Sequence, residues 1–180
     1  MKRRAMLSVL PLVIATALLA QDKKTDSKSS EDLVADGIKQ FHERMLSPQS
    51  NIREKEFDAV MADRKVLEAL FGDDARLVWP RFEQSLKVMR TNTDKMKDEF
   101  DRSGTIKSVE VIDVRKQRSP PYERVLQLIP KNVPVYRAAI TYENRSAGSG
   151  SYVVIDGRMR MVRGLEGIPE IIDREKGAKK

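Results

Sequence analysis

Cysteine is absent from the 180 residues. That excludes disulfides, thiolate metal sites and a lipid-modified N-terminal cysteine, so stability must come from packing. Histidine occurs once, as His42. No acidic or sulfur cluster stands at ligand spacing from it beyond the adjacent Glu43, and successive residues on a helix point apart. His42 therefore reads as a surface or groove residue, and neither a metal centre nor any other cofactor is expected. Aromatic residues are also few, one tryptophan, four tyrosines and five phenylalanines, most at positions that should face a core. Such a chain lacks the stacking platforms of a nucleic-acid binder. No Ser-His-Asp set or paired carboxylates can be placed, and Gly148-Ser149-Gly150-Ser151 lacks the lysine and following helix of a phosphate loop.

Long apolar runs are scarce too. The main one, residues 6–19, follows Lys2, Arg3 and Arg4, is interrupted by Pro11, and ends at the small-residue sites Ala15-Thr16-Ala17 and Leu18-Leu19-Ala20. It is short for a membrane span, which needs about 20 residues. Residues 1–20 read as a cleaved secretory signal, with an uncleaved anchor as the alternative, and the protein as exported to the periplasm or beyond. A polar leader, 21–30, has no apolar residue to bury, and 174–180 is a basic tail. The formal charge of +7 lies in these segments; residues 31–173 hold 24 basic and 24 acidic side chains. Charge thus gives no argument for nucleic acid, although residues 114–163 alone carry 10 basic against 3 acidic groups.

What is present is a single domain, 31–173, of helices followed by strands. Tyr136, Ala138, Ile140 and Tyr142 alternate with Val135, Arg137, Ala139, Thr141 and Glu143, leaving one face apolar and partly aromatic, as a half-buried strand requires. Residues 151–155 and 158–162 flank Asp156-Gly157, a dipeptide suited to the positive φ angles of a two-residue hairpin. That turn predicts Ile155 opposite Arg158, Val154 opposite Met159, Val153 opposite Arg160 and Tyr152 opposite Met161. One face, Tyr152, Val154, Met159 and Met161, needs cover. The other mixes Val153, Ile155 and Val162 with Arg158 and Arg160.

Upstream, Ser30 reads as the N-cap of a helix with Val34, Ile38, Phe41 and Met45 on one stripe, ended by Ser47-Pro48. Residues 54–61 give a short helix. Asp63 caps another that buries Val66, Leu67, Leu70 and Phe71 before Gly72. The longest helix is expected from Asp73 or Asp74 to Asp101, with a short turn before Pro80. A strand at 106–115 shifts phase between Val111 and Ile112, through a bulge or two buried faces. Residues 122–129 suit either a helical turn or an extended edge, 144–150 a flexible hairpin tip, and Leu165, Ile168, Ile171 and Ile172 a clasp returning to the body.

This order predicts an α+β fold, N-terminal helices packed on a curved antiparallel C-terminal sheet. It resembles the nuclear-transport-factor-two-like, or cystatin-like, roll through its element order and the strands at 136–142, 152–155 and 159–162. The resemblance implies a cone whose interior could bind a small molecule or carry lyase or isomerase chemistry. Tyr136, Tyr142 and Tyr152, with Phe82 and Met89 from the long helix, would line it, and Asp113 or Glu143 would reach it only if the strand phase shifts. Packing is the commoner fate of such tyrosines.

The favoured function is a non-enzymatic binding or interaction module. Its contact set is Arg137, Val153, Ile155, Arg158, Arg160 and Val162, read as an anionic-partner surface or, in preference, as a sheet-to-sheet homodimer that covers otherwise exposed aliphatic residues. The alternative is the cavity enzyme or small-molecule binder. Partners beyond a second copy are an exported protein or a small molecule, without nucleic acid and without a stable membrane span after signal cleavage.

Overall fold

The computed structural model describes residues 28–117 and 119–178. The expected signal and most of the leader lie outside them. The end of the leader is engaged: Ser29, one residue before the expected cap, accepts the amide of Asp32 at 3.1 Å and opens α1, Ser30–Met45. Glu31 and Asp32 in its first turn suit the positive end of the helix dipole. The stripe Val34, Ile38, Phe41 and Met45 is buried, and His42 is buried with it. α2 spans Ser50–Val60, starting earlier than its apolar residues alone suggest. α3, Arg64–Phe71, is capped by Asp63, whose carboxylate accepts the amide of Val66 at 2.9 Å. A single turn, Gly72–Asp74, leads on.

The expected 73–101 helix is two helices, α4, Ala75–Arg90, and α5, Thr93–Ser103. The side chains of Thr91 and Asn92 donate to the Val88 carbonyl at 3.0 and 2.5 Å, which competes with the helical amide ladder. An apolar stripe continuing in phase past 90 gave no sign of this break. Pro80 lies inside α4, not at its first turn, and leaves the carbonyl of Arg76 without its helical donor. The proline is on the solvent side, where water can replace that donor.

Four antiparallel strands follow: β1, Ile106–Asp113, β2, Val135–Tyr142, β3, Ser146–Ile155, and β4, Arg158–Met161, in the spatial order β1-β2-β3-β4. The β3–β4 register is the one Asp156-Gly157 predicts in all four pairs. Asp156 and Gly157 have φ of 51° and 68°, the left-handed pair of a two-residue hairpin. The irregularity in β1 falls between Ile106 and Ser108, earlier than the expected phase shift. Most of the expected flexible tip is strand, and the turn is confined to 143–145. Between β1 and β2, the turn Pro120–Tyr122 and α6, Glu123–Leu128, settle the open choice for 122–129 as helical. The amide of Ala62 donates to the Met161 carbonyl at 2.9 Å and covers part of the β4 edge.

After β4 a turn, Leu165–Gly167, enters α7, Ile168–Gly177, so the clasp forms and the helix takes in most of the expected tail. Lys176 pairs with Asp74 at 2.7 Å. Among the described residues, no helix is long and apolar enough to cross a membrane.

The fold is α+β, an open sheet preceded by helices, and it has two cores. Because side chains alternate across a strand, Tyr136, Ala138, Tyr152 and Met159 face one side, where Val34, Ile38, Phe41, Met45, Met96 and Phe100 of α1 and α5 cover them. Here α1 approaches closely: a Cβ on Gly37 would lie 2.9 Å from the Met159 sulfur. Val135, Val153 and Val162 face the other side, buried under α3, α4, α6 and α7. The mixed face of the hairpin is therefore covered within the chain. From local pattern alone its valines face outward, because the helices that bury them lie far from the hairpin in the chain.

Candidate functional site

The cavity set does not come together. Tyr136 and Tyr152 stand directly opposite each other on β2 and β3, both buried, in the core under α1. Phe82 lies in the other core, and Met89 follows it on α4, so the sheet separates them from the tyrosines. Burial raises the pKa of all three tyrosines, most strongly for Tyr152, which is 1% exposed. They are neutral phenols. Asp113 and Glu143 stay outside this core. Asp113 accepts the amide of Arg115 at 2.9 Å, and Glu143 accepts the Thr105 hydroxyl at 3.2 Å.

Of the surface or groove positions its isolation suggests, His42 takes a buried one at the edge of a recess. It is 5% exposed, its ring centroid 4.9 Å from that of Phe100 and 5.2 Å from that of Tyr142. Its Nε2 is buried without a hydrogen-bond partner among the described residues. Desolvation lowers its pKa, opposed by the charges of Glu43 and Asp101. The spacing held the signal: 38, 41, 42 and 45 share one helical face. A recess lined by Lys39, Glu43, Leu46, Thr105 and Ile106 adjoins the ring. No group of three histidine, aspartate or glutamate side chains converges on a metal position among the described residues.

The proposed contact set divides. Val153 and Val162 are fully buried, and Ile155 packs against the same core. Arg137 is exposed opposite Ser151. Arg158 and Arg160 follow one another on the same strand face and share a recess of about 410 Å³ with Lys65, Asp63, Val66, Ala69, Ile155 and Asp156. Arg160 donates to the Ala59 carbonyl at 2.5 Å. Arg158 has no carboxylate within ion-pair distance among the described residues, and it also borders the recess beside α1.

Two of the ten basic side chains of 114–163, Lys116 and Arg124, are paired with carboxylates among the described residues. Lys116 pairs with Glu31 at 3.0 Å, and Arg124 pairs with Glu170 and Asp173, each at 2.6 Å. Arg115 is spent on the carbonyls of Ile129, Pro130 and Val133. At the hairpin, Arg158 and Arg160 form no ion pair among the described residues.

Two polar clusters were not foreseen. Arg53 is buried between α2 and α5, donating to the Ser47 carbonyl at 2.6 Å and to Asp94. The Tyr122 hydroxyl and Ser151 Oγ are 2.8 Å apart, with Glu166 at 3.4 Å from the serine. Neither spacing marks such a role, because the partners are joined only by the folded chain. Both read as structural ties, although Arg53 Nε is buried without a hydrogen-bond partner among the described residues. No family model, curated protein or solved structure matches the chain.

Proposed function

We propose that this chain is an exported, non-enzymatic binding module that meets an acidic partner at the β3–β4 hairpin. The observation that carries the reading is the local one: Arg158, Arg160 and Lys65 border a single recess, and Arg158 lacks a carboxylate partner among the described residues. Guanidinium groups keep their charge at any physiological pH and present several donors, so an acidic side chain reaching this recess gains charge-assisted hydrogen bonds. Of the two carboxylates there, Asp63 is committed to capping α3. The aliphatic argument for a sheet-to-sheet dimer is gone, because the chain covers those valines itself. A second copy stays in the proposal only as one possible acidic partner, through its helical half.

The open antiparallel sheet behind N-terminal helices supports a roll of the nuclear-transport-factor-two-like kind, which we carry as part of the same proposal. Helices on both sheet faces depart from a simple cone. The enzyme alternative loses its supporting geometry, since its tyrosines and its helix residues lie in different cores.

The test is a fluorescence titration of the chain lacking residues 1–20 with labelled oligoglutamate at rising NaCl. Reversing both arginines, Arg158→Glu with Arg160→Glu, should weaken binding by roughly tenfold or more at low salt, while Lys131→Glu should leave it within about twofold. Equal binding by the wild type and the double reversal refutes the hairpin surface. Native mass spectra of both proteins identify the partner as a second copy if a dimer forms and the reversal dissolves it.

A further inference from the structure

A second recess, independent of the hairpin, lies between α4 and α7. Its floor is apolar, made by Val78, Phe82, Leu86 and Met89 of α4 with Ile168 and Ile171 of α7. Its volume is about 180 Å³. An apolar cavity of about 150 Å³ holds a benzene ring, so this one suits a single ring or a chain of about six to eight carbons.

Charge sets it apart from the other recesses. Its lining carries two guanidinium groups, Arg81 and Arg163, and no carboxylate. The four others described each include at least one: Asp36 with Glu56, Asp63 with Asp156, Asp58 with Glu83, and Glu43. Arg81 is held by Glu175 at 3.4 Å. Arg163 is different. Its Nη1 donates at 2.8 Å to the sulfur of Met89, a weak acceptor, and no carboxylate stands within ion-pair distance among the described residues. A guanidinium with unspent donors thus sits at the mouth of an apolar pocket.

We infer that this recess binds a small apolar carboxylate, its hydrocarbon part on α4 and α7 and its head group on Arg163. The head group would take the donors that a thioether satisfies poorly, and the chain would remove apolar floor from water. A protein partner fits less well. Among the described residues the large apolar side chains left exposed are Val88, 58% exposed on α4, and Leu128 on α6, which do not make the flat apolar surround that a stable protein interface of about 800 Å² per side requires.

The experiment is calorimetric titration of the whole chain with octanoate, beside octanol and octylamine. Octanoate should bind saturably and at least about tenfold more tightly than octanol, with octylamine weakest. Arg163→Met should cost roughly tenfold for octanoate and nothing for octanol, and Arg163→Lys should recover part of the loss. Ile171→Phe, which fills the pocket from α7, should weaken octanoate and octanol alike. The double reversal Arg158→Glu with Arg160→Glu should leave octanoate binding unchanged, which keeps this site separate from the hairpin. No saturable binding, equal affinity for the three head groups, or an unaffected Arg163→Met overturns the inference. Tighter binding of an acidic leucine-containing peptide than of octanoate overturns it in favour of a protein segment.

Discussion

Lowering the pH from 7 to 5 should destabilise this protein through His42, and His42→Leu should remove that part of the response. The side chain is 5% exposed, and its Nε2 has no hydrogen-bond partner among the described residues. Burial lowers the folded pKa from the ordinary 6.5, because the imidazolium would lose its hydration beside Phe100 and Tyr142. The neighbouring charges that oppose this, Glu43 on α1 and Asp101 on α5, are smaller influences, and Lys39 also lines the adjoining recess. A folded pKa below the unfolded one means that the unfolded chain binds the proton first. The stabilisation of the neutral form is whole above about pH 6.5 and is lost as pH falls from there toward the folded pKa, after which the loss levels off. While only the unfolded state is protonated, the slope approaches about 1.4 kcal/mol per pH unit. Leucine gives up the ring contacts, worth about 1 kcal/mol, and also removes a buried unpaired nitrogen that costs about 1–3 kcal/mol. The variant should therefore lie near the wild type at pH 7 and diverge below pH 6.5. Urea midpoints followed by far-ultraviolet circular dichroism at half-unit steps measure this directly. The carboxylates titrate in both proteins, so the difference between them isolates His42. Parallel stability curves from pH 7 to 5 refute the reasoning.

Two further expectations concern the framework. Arg53 joins the α1–α2 loop to α5, but its partner Asp94 is 81% exposed, so the ion pair is largely screened and packing of the stem dominates. Arg53→Met should cost under about 1 kcal/mol and Arg53→Ala about 2–4 kcal/mol by urea denaturation; equal losses would show that the charge, not the stem, matters. Gly157 has φ 68° in the β3–β4 turn, and a Cβ there meets no atom within 4 Å. Gly157→Ala should therefore cost about 1–2 kcal/mol from backbone conformation alone, read as a lowered melting temperature, and an unchanged melt contradicts the left-handed turn.

Features that depend on a few consecutive residues were legible in advance. The Asp63 cap, the α3 stripe and the hairpin register need only a capping oxygen, a helical period or two residues of positive φ. The division of 73–101 was hidden because the apolar spacing runs through it, while the competing bonds come from two polar side chains, Thr91 and Asn92. The placing of Arg158 and Arg160 on one strand face was legible for the same reason. Arg158 and Arg160 share a strand face by the period of two, but whether Val153 beside Arg160 meets water depends on helices far away in the chain.

By itself the sequence determined the α+β class, the Asp63 cap and the final hairpin, since each follows from local backbone preference and side-chain period. Only the tertiary structure decided that both faces of the sheet are covered, that His42 enters a core, and that Arg163 stands over an apolar recess shared by α4 and α7. Those outcomes join segments distant along the chain, where burying apolar surface selects among arrangements that local pattern leaves equally good.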